Sequence, residues 1–81
     1  MKVQVRLFAL AKELAGAESV ELELSEEADV AQLRQALAAR LPELAAVIRL
    51  SMVAVDAQYG SDNTKLCVGA EVALIPPVSG G

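Results

Sequence analysis

The sequence predicts an α+β domain in which one main helix packs across one face of a β-sheet. Two stretches near the start alternate apolar and polar residues as strands do, a capped helical stretch follows, and two more strand-like stretches complete the chain. With 81 residues there is room for one domain and one modest core. Because 54% of the residues are apolar but only one Phe and one Tyr are aromatic, that core must be aliphatic.

The first two strands are predicted from alternation. "KVQVRLF" directs one set of side chains to the core, namely Val3, Val5 and Leu7, and the other set to the opposite face, namely Gln4, Arg6 and Phe8. A short helix over "ALAKELAG" ends at Gly16. "SVELEL" then alternates again, with Val20, Leu22 and Leu24 facing inward. The spacing favours an antiparallel pair joined by a long connection.

The main helix has a recognisable beginning and a stripe of apolar side chains. Asp29 precedes Gln32 by three residues, which is the spacing of a capping box. The residues predicted to face the sheet follow at helical spacing: Val30, Leu33, Leu37 and Leu41. Pro42 is expected to end this helix and to begin another short helical turn.

The remaining elements complete the predicted sheet. "SMVAVDA" predicts a third strand, "QYGSDNT" a polar turn, and "EVALIP" a last strand inside the sheet. Since a helix separates the first and last strands along the chain, they are the pair that can run parallel. This order favours a β-grasp arrangement, with a domain over residues 1–77 and a flexible Gly-Gly tail over residues 78–81.

The side chains offer no convincing active site. Histidine is absent, so the commonest general base and neutral metal ligand are missing, and we expect neither a metal site nor a bound cofactor. Cys67 lies between Leu66 and Val68 and is predicted to be a buried structural cysteine. Glu26 and Glu27 precede a helix and are expected to favour its positive end and to keep the surface soluble.

Composition also narrows the class of partner and the compartment. The net charge of −4 argues against a nucleic-acid partner and favours a protein with a basic surface. The apolar runs are too short to cross a bilayer, and the alternating first residues do not resemble a secretory signal. A single cysteine cannot form an internal disulfide, so we expect a cytoplasmic setting.

The ending "IPPVSGG" is the most informative stretch. Pro76 and Pro77 each fix one φ angle, so the tail should leave the last strand in an extended direction. Gly80 and Gly81 have no Cβ and can thread a narrow channel. The reactive group that such a tail presents is the carboxylate of Gly81. A frayed end would be the ordinary interpretation of two terminal glycines, but not after this strand and this di-proline.

The chain resembles the MoaD-type sulfur carriers, the small subunits of molybdopterin synthase within the ubiquitin-like ThiS/MoaD family. The resemblance spans essentially the full length and is carried by "LFALAKELAG", "VAVD" and "VGAEVALIPPVSGG", of which the last is the most specific. Asp56 stands where the family usually has Asn, and Ala70 where it usually has Asp. Both departures concern local hydrogen bonds rather than the tail.

The resemblance implies a non-catalytic subunit of an enzyme complex. An ATP-dependent, ubiquitin-activating-like adenylyltransferase would adenylate Gly81, and a sulfur donor would convert it to a thiocarboxylate. The tail, over Val78, Ser79 and Gly80, would then enter the large synthase subunit and give its sulfur to a cyclic pyranopterin phosphate, forming the dithiolene. Phe8, Tyr59 and Ile75, beside the prolines, would form the apolar surface that meets these partners.

Three other functions remain open at this point. The chain could be a sulfur carrier for thiazole synthesis or tRNA thiolation, although "PPVSGG" argues against it. It could be a covalent protein modifier like ubiquitin, which would appear as conjugates on target lysines. It could also be a plain interaction module with an incidental tail, in which case deleting Gly80 and Gly81 would change nothing.

Overall fold

A computed structural model describes residues 1–77 and shows a five-stranded mixed sheet with helices packed against it. The strands are β1 (Lys2–Leu7), β2 (Ser19–Glu23), β3 (Met52–Val55), β4 (Gln58–Gly60) and β5 (Val72–Ile75). The α-helices in this part of the chain are α1 (Ala9–Ala15), α2 (Val30–Arg40) and α3 (Ala45–Leu50). The predicted α+β class is confirmed, while the predicted tail lies outside the described residues.

The strand order β2-β1-β5-β3-β4 places the last strand at the centre of the sheet. β1 runs antiparallel to β2, with Val5 opposite Val20, and parallel to β5, with Leu7 opposite Leu74. The predicted antiparallel pair and the predicted parallel pairing of the first and last strands are both confirmed. As a result, β5 delivers the chain to Pro76 from the middle of the sheet rather than from an edge.

One face of the sheet and the inner sides of the helices form an aliphatic core. The predicted core positions Val3, Val5 and Leu7 of β1 are buried, as are Val20 and Leu22 of β2. The largest side chains with essentially no exposure are Leu7, Leu33, Leu37, Leu44 and Leu74. Burying each such leucine stabilises the fold by roughly 1.5–3 kcal/mol. None of these helices packs against the other face of the sheet, so the side chains on that face are available for contacts with other molecules.

The main helix begins as predicted. The Asp29 carboxylate oxygen Oδ1 accepts a hydrogen bond from the Gln32 backbone nitrogen at 3.0 Å, and Gln32 Oε1 accepts one from the Asp29 nitrogen at 3.3 Å. The Val30 nitrogen donates to the Thr64 carbonyl at 3.0 Å. The first N–H groups of α2 therefore have protein partners rather than only water. Pro42 ends the helix and begins a 3₁₀ turn over Pro42–Leu44, also as predicted.

The prediction of a polar turn after the third strand is partly wrong. β3 ends at Val55, the turn consists of Asp56 and Ala57, and residues 58–60 form a fourth sequential strand, β4, that pairs back onto β3. Asp56 and Ala57 have φ values of 50° and 68°, the left-handed conformation of a two-residue hairpin turn. Such turns are usually recognised from Asn-Gly or Asp-Gly, and the Asp-Ala sequence conceals this one.

The predicted burial of Cys67 is also wrong. Leu66 enters the core with 3% exposure, but Cys67 is exposed and Val68 is 74% exposed. The chain turns immediately after Leu66, with the Ala70 nitrogen donating to the Cys67 carbonyl at 3.0 Å and Gly69 at a φ of 83°. An apolar neighbour on each side was therefore a poor guide, because the turn separates Cys67 from the core.

Candidate functional site

A groove lies where the chain leaves the central strand, and we call it the exit groove. The N-terminal end of α1, the helix α3 and the end of β5 contribute its walls. Its volume is about 490 Å³, and it is lined by Phe8, Ala9, Leu10, Val47, Leu50, Ile75, Pro76 and Pro77. The three elements are distant in sequence, so only the fold brings these side chains together.

The chemistry of the exit groove is that of a binding surface. All eight lining side chains are apolar, so none can transfer a proton, attack an acyl group or hold a metal ion. Pro76 is buried while Pro77 is exposed. Pro76 therefore packs into the domain, and the chain reaches solvent at the next residue. The groove can hold the start of the tail, and its lining suits apolar contacts.

The second part of the candidate site is the sheet face opposite the core, which we call the open face. A row of side chains crosses four neighbouring strands there, because Arg6 pairs with Ala73, Ala73 with Ala54, and Ala54 with Tyr59. Adjacent strands are about 4.8 Å apart, so the row spans about 14 Å from Arg6 to Tyr59. A single protein interface of ordinary size can cover that distance.

Two large apolar residues stand in the next row of the open face. Met52 of β3 pairs with Ile75 of β5, and Met52 is 50% exposed. In the first row, Tyr59 at the β4 edge is 64% exposed. Ala54, in the same row, is buried, although its side chain is directed to the open face and that of the neighbouring Val53 to the core. The part of the open face over β5, β3 and β4 is therefore largely apolar and substantially uncovered.

Phe8 connects the open face to the exit groove. It is 40% exposed, caps α1 in an extended conformation, and lines both the exit groove and a smaller hollow on the open face. The next residue, Ala9, has a φ of 52°, a left-handed conformation that turns the chain from β1 into α1. The Arg6 guanidinium carbon lies 5.5 Å from the centre of the Phe8 ring, within the range of a cation–π interaction.

The predicted partner-binding residues occupy this combined surface to different degrees. Phe8, Ile75 and both prolines line the exit groove, whereas Tyr59 lies away from it on the open face. Val78, Ser79, Gly80 and Gly81 fall outside the described residues. The partner-binding role of all these residues stays a prediction.

Several exposed apolar residues of this surface were missed in the sequence. Leu10 is 48% exposed, Leu50 is 68% exposed, and Met52 is 50% exposed. Leu10 and Leu50 belong to short helices that each bury one residue, Ala11 in α1 and Ile48 in α3, so their outward direction depends on how each short helix packs. The exposure of Met52 could have been predicted, because strand alternation directs its side chain to the face that Val53 does not share.

Residues 1–77 contain no cluster of three or more Cys, Asp or Glu side chains arranged to hold a metal ion. No helix within this range combines the length and the apolar character needed to span a bilayer.

The fold matches β-grasp, ubiquitin-like proteins. SAMP1 from Haloferax volcanii aligns with a TM-score of 0.87 at 27% identity, covering 100% of both chains. A ubiquitin from Caldiarchaeum subterraneum aligns with a TM-score of 0.69 at 20% identity over 100% of this chain and 98% of the other, which bears on the fold alone. The predicted β-grasp arrangement is confirmed, and the molecule has a ubiquitin-like fold.

Within that class, the chain belongs to the ThiS family, whose model matches residues 5–81. It is similar to molybdopterin synthase sulfur carrier subunits from several eukaryotes. The Chlamydomonas reinhardtii protein is 35% identical over 100% of both chains. The human protein is 35% identical over 99% of this chain and 94% of its own length. The resemblance to this family that the sequence suggested is confirmed.

A solved complex is also similar. It contains subunits 1 and 2 of the molybdopterin-converting factor from Helicobacter pylori, and its matching chain aligns with a TM-score of 0.65 at 28% identity over 100% of both chains. In that complex, a protein similar to this chain is assembled with a second subunit.

Proposed function

We propose that this chain is the sulfur carrier subunit of a molybdopterin synthase. The observation that carries the proposal is the full-length similarity to sulfur carrier subunits of molybdopterin synthase, which includes the Gly-Gly end of the chain. The apolar exit groove supports it, because a carrier needs a surface that docks and a tail that reacts, with the catalytic side chains supplied by its partner. The proposed setting is the cytoplasm, where ATP is available.

The proposed reaction takes place on the carboxylate of Gly81. An adenylyltransferase of the ubiquitin-activating type joins that carboxylate to the AMP portion of ATP and releases pyrophosphate. Sulfide-level sulfur from a donor then attacks the acyl carbon of Gly81, so that AMP leaves and a thiocarboxylate remains. In the large subunit, the thiocarboxylate sulfur forms a bond to a cyclic pyranopterin phosphate, and water hydrolyses the bond between this sulfur and the Gly81 acyl carbon. The sulfur stays on the pterin, and the carboxylate of Gly81 is restored. Two such transfers supply the two sulfur atoms of the dithiolene.

The end of the domain suits this role physically. Pro76 is buried at the end of the central strand, so the origin of the tail is fixed in the domain. Four residues after Pro77 can extend at most roughly 14 Å, a reach comparable with the depth of an enzyme pocket. Because glycine has no Cβ, the last two residues can enter a channel that would exclude larger residues.

In this proposal ATP is a substrate of the activating partner, and no cofactor is proposed on this chain.

Intact-mass measurement tests the proposal directly. After incubation with ATP, a sulfur donor and the adenylyltransferase, the chain should gain the mass difference of one sulfur replacing one oxygen, and addition of the large subunit and the pterin substrate should reverse it. The variant lacking Gly81 should show neither change while melting like the parent. Cofactor synthesis in cells that carry only that shortened variant would refute the proposal.

A second candidate function is covalent modification of other proteins. It is favoured by the similarity to SAMP1, because that name denotes a small archaeal modifier protein. The two functions leave different products. The last basic residue is Lys65, so trypsin would leave residues 66–81 attached to a modified lysine of any target. Detection of that branched peptide in cells would establish modification, whereas a sulfur carrier requires only the thiocarboxylate.

A further inference from the structure

Arg6 is a positively charged residue at the boundary between two parts of the open face. On the β2 side its neighbours are polar, with Ser19 opposite it and with Gln4 and Glu21 beside it in a second hollow. On the β5 side the apolar part of the open face begins.

Arg6 lies beside Ala73 of β5, and with Phe8 and Ala54 it lines a hollow of about 140 Å³. The exposed Tyr59 continues the same row at the far edge. The Arg6 guanidinium carbon lies 5.5 Å from the centre of the Phe8 ring, so a partner that covers this ring also approaches the guanidinium.

Within residues 1–77, Arg6 forms neither an ion pair nor a side-chain hydrogen bond. Two other basic side chains do have ion-pair partners, since Lys12 lies 3.3 Å from the Glu18 carboxylate and Arg34 lies 3.2 Å from the Asp62 carboxylate. In the same range Lys2 and Arg49 lack such partners as Arg6 does, but neither contacts an aromatic ring. The Glu71 side chain borders the same hollow as Arg6, but the two do not approach within ion-pair distance. Within the described residues, Arg6 makes one cation–π contact, with the Phe8 ring. This contact leaves the guanidinium N–H groups free to donate hydrogen bonds.

Covering this group has a definite energetic consequence. An arginine that is taken out of water without a counter-charge loses several kcal/mol, which would cancel much of the gain from the apolar contacts around it. Its planar N–H groups match the two oxygens of a carboxylate, which can accept two parallel hydrogen bonds. Contact with the Phe8 ring limits the orientations of the guanidinium and so prepares it for such a pair.

We propose that Arg6 determines specificity on this surface by pairing with a carboxylate of the large subunit. The inference rests on the proposed function, because it takes the large subunit to be the protein that covers the open face. The chain as a whole carries a net charge of −4, so long-range attraction favours a basic partner surface. Arg6, however, requires a negatively charged group of the partner at one position, because a uniformly basic partner surface would repel Arg6 there. Overall charge thus promotes encounter, while Arg6 fixes the register and rejects proteins that lack the carboxylate.

Binding of Arg6 variants to the purified large subunit tests the inference. Arg6→Gln removes the charge, and Arg6→Met removes it while keeping an unbranched apolar side chain over Phe8. Both should weaken binding by at least about tenfold, as truncation of one member of a covered charge pair does. Arg6→Lys keeps the charge and should lose less affinity than these two variants.

Lys2→Gln is the matched control, since it removes a positive charge from an exposed β1 residue on the same face. It should change the affinity for the large subunit by less than about twofold. Arg6 is exposed, so all variants should melt close to the parent temperature.

The outcomes separate this inference from the proposed function. If the parent chain does not bind the large subunit, the proposed function fails and the inference fails with it. If the parent binds but Arg6→Met binds equally well or more tightly, only the apolar contact matters and the inference alone is overturned. Equal losses in Arg6→Gln and Lys2→Gln would also overturn it, because they would indicate general electrostatic attraction rather than a specific pair.

Discussion

Asp56 and Glu71 are joined by two hydrogen bonds. The Asp56 backbone nitrogen donates to the Glu71 carbonyl at 2.8 Å, and the Glu71 nitrogen donates to the Asp56 carboxylate oxygen Oδ1 at 3.0 Å. The pair continues the β3–β5 ladder by one step beyond Val55 and Val72. It ties the β3–β4 turn to the start of the strand that ends at the exit groove. An asparagine at this position would carry the same accepting oxygen.

The first prediction concerns this pair. Asp56→Ala removes the acceptor for the Glu71 nitrogen and should lower the free energy of unfolding by about 1 kcal/mol. For a domain of this size, that corresponds to a fall in Tm of roughly 4–8 °C. Asp56→Asn keeps the oxygen and should melt within about 2 °C of the parent on the same scale. Thermal unfolding followed by circular dichroism measures both, and an Asn variant as unstable as the Ala variant would show that the charge, not the hydrogen bond, matters.

The second prediction concerns the neighbouring turn residue. Ala57 has a φ of 68°, where an L-residue with a Cβ is strained and glycine is not. Ala57→Gly should therefore raise the free energy of unfolding by about 0.5–1 kcal/mol, even though glycine is more flexible in the unfolded chain. Ala39→Gly, at an exposed position in α2, is the matched control and should lower it by roughly the same amount. A destabilised Ala57→Gly variant would contradict the assigned conformation.

The parts of the fold that were predicted from the sequence depend on local patterns. Alternation identified the core-facing residues of β1, because each strand places successive side chains on opposite faces. The capping box at Asp29 was identified from one spacing, because both of its hydrogen bonds form within three residues. In both cases the relevant interaction lies within a few residues of the pattern. The tail was predicted from its residue types, lies outside the described residues and stays a prediction.

The parts that were missed depend on contacts between distant segments. β4 has only three residues and is a strand because it pairs with β3 across an unmarked turn. Cys67 is exposed because the chain turns after Leu66, and its neighbours gave no sign of this. The exit groove required Leu10 and Leu50, which belong to two helices, to meet beside the prolines. Periodicity assigns a side chain to one face of its own element but does not place that element beside another.

The third prediction concerns Cys67. The proposed carrier atom is on Gly81, so Cys67→Ser should accept and transfer sulfur as the parent does. Because Cys67 is exposed rather than buried, the substitution should also change the free energy of unfolding by no more than about 0.5 kcal/mol. Intact mass after the activation reaction and thermal unfolding measure the two effects. A well-folded Cys67→Ser variant that gains no sulfur would place the carrier function on the thiol instead.

The last prediction concerns the two aromatic residues. Phe8 is 40% exposed and Tyr59 is 64% exposed, so neither is a core residue, and their removal should lower Tm by only a few degrees. Covered aromatic side chains commonly contribute 2 kcal/mol or more to an interface, which corresponds to about a 30-fold change in affinity. Phe8→Ala and Tyr59→Ala should therefore weaken binding of the large subunit far more than they lower stability.

Titration calorimetry with the large subunit, beside thermal unfolding of each variant, compares the two effects. Val68→Ala is the matched control, because Val68 is apolar and 74% exposed but lies in the turn after Leu66 rather than on the open face or in the exit groove. Tyr59→Phe separates the ring from its hydroxyl and should bind nearly as the parent does if apolar contact dominates. If Phe8→Ala folds normally and binds with unchanged affinity, the docking surface lies elsewhere. If only Tyr59→Ala loses affinity, the partner covers the β4 side of the open face and leaves the exit groove free, which would also remove the reason for Arg6 to be covered.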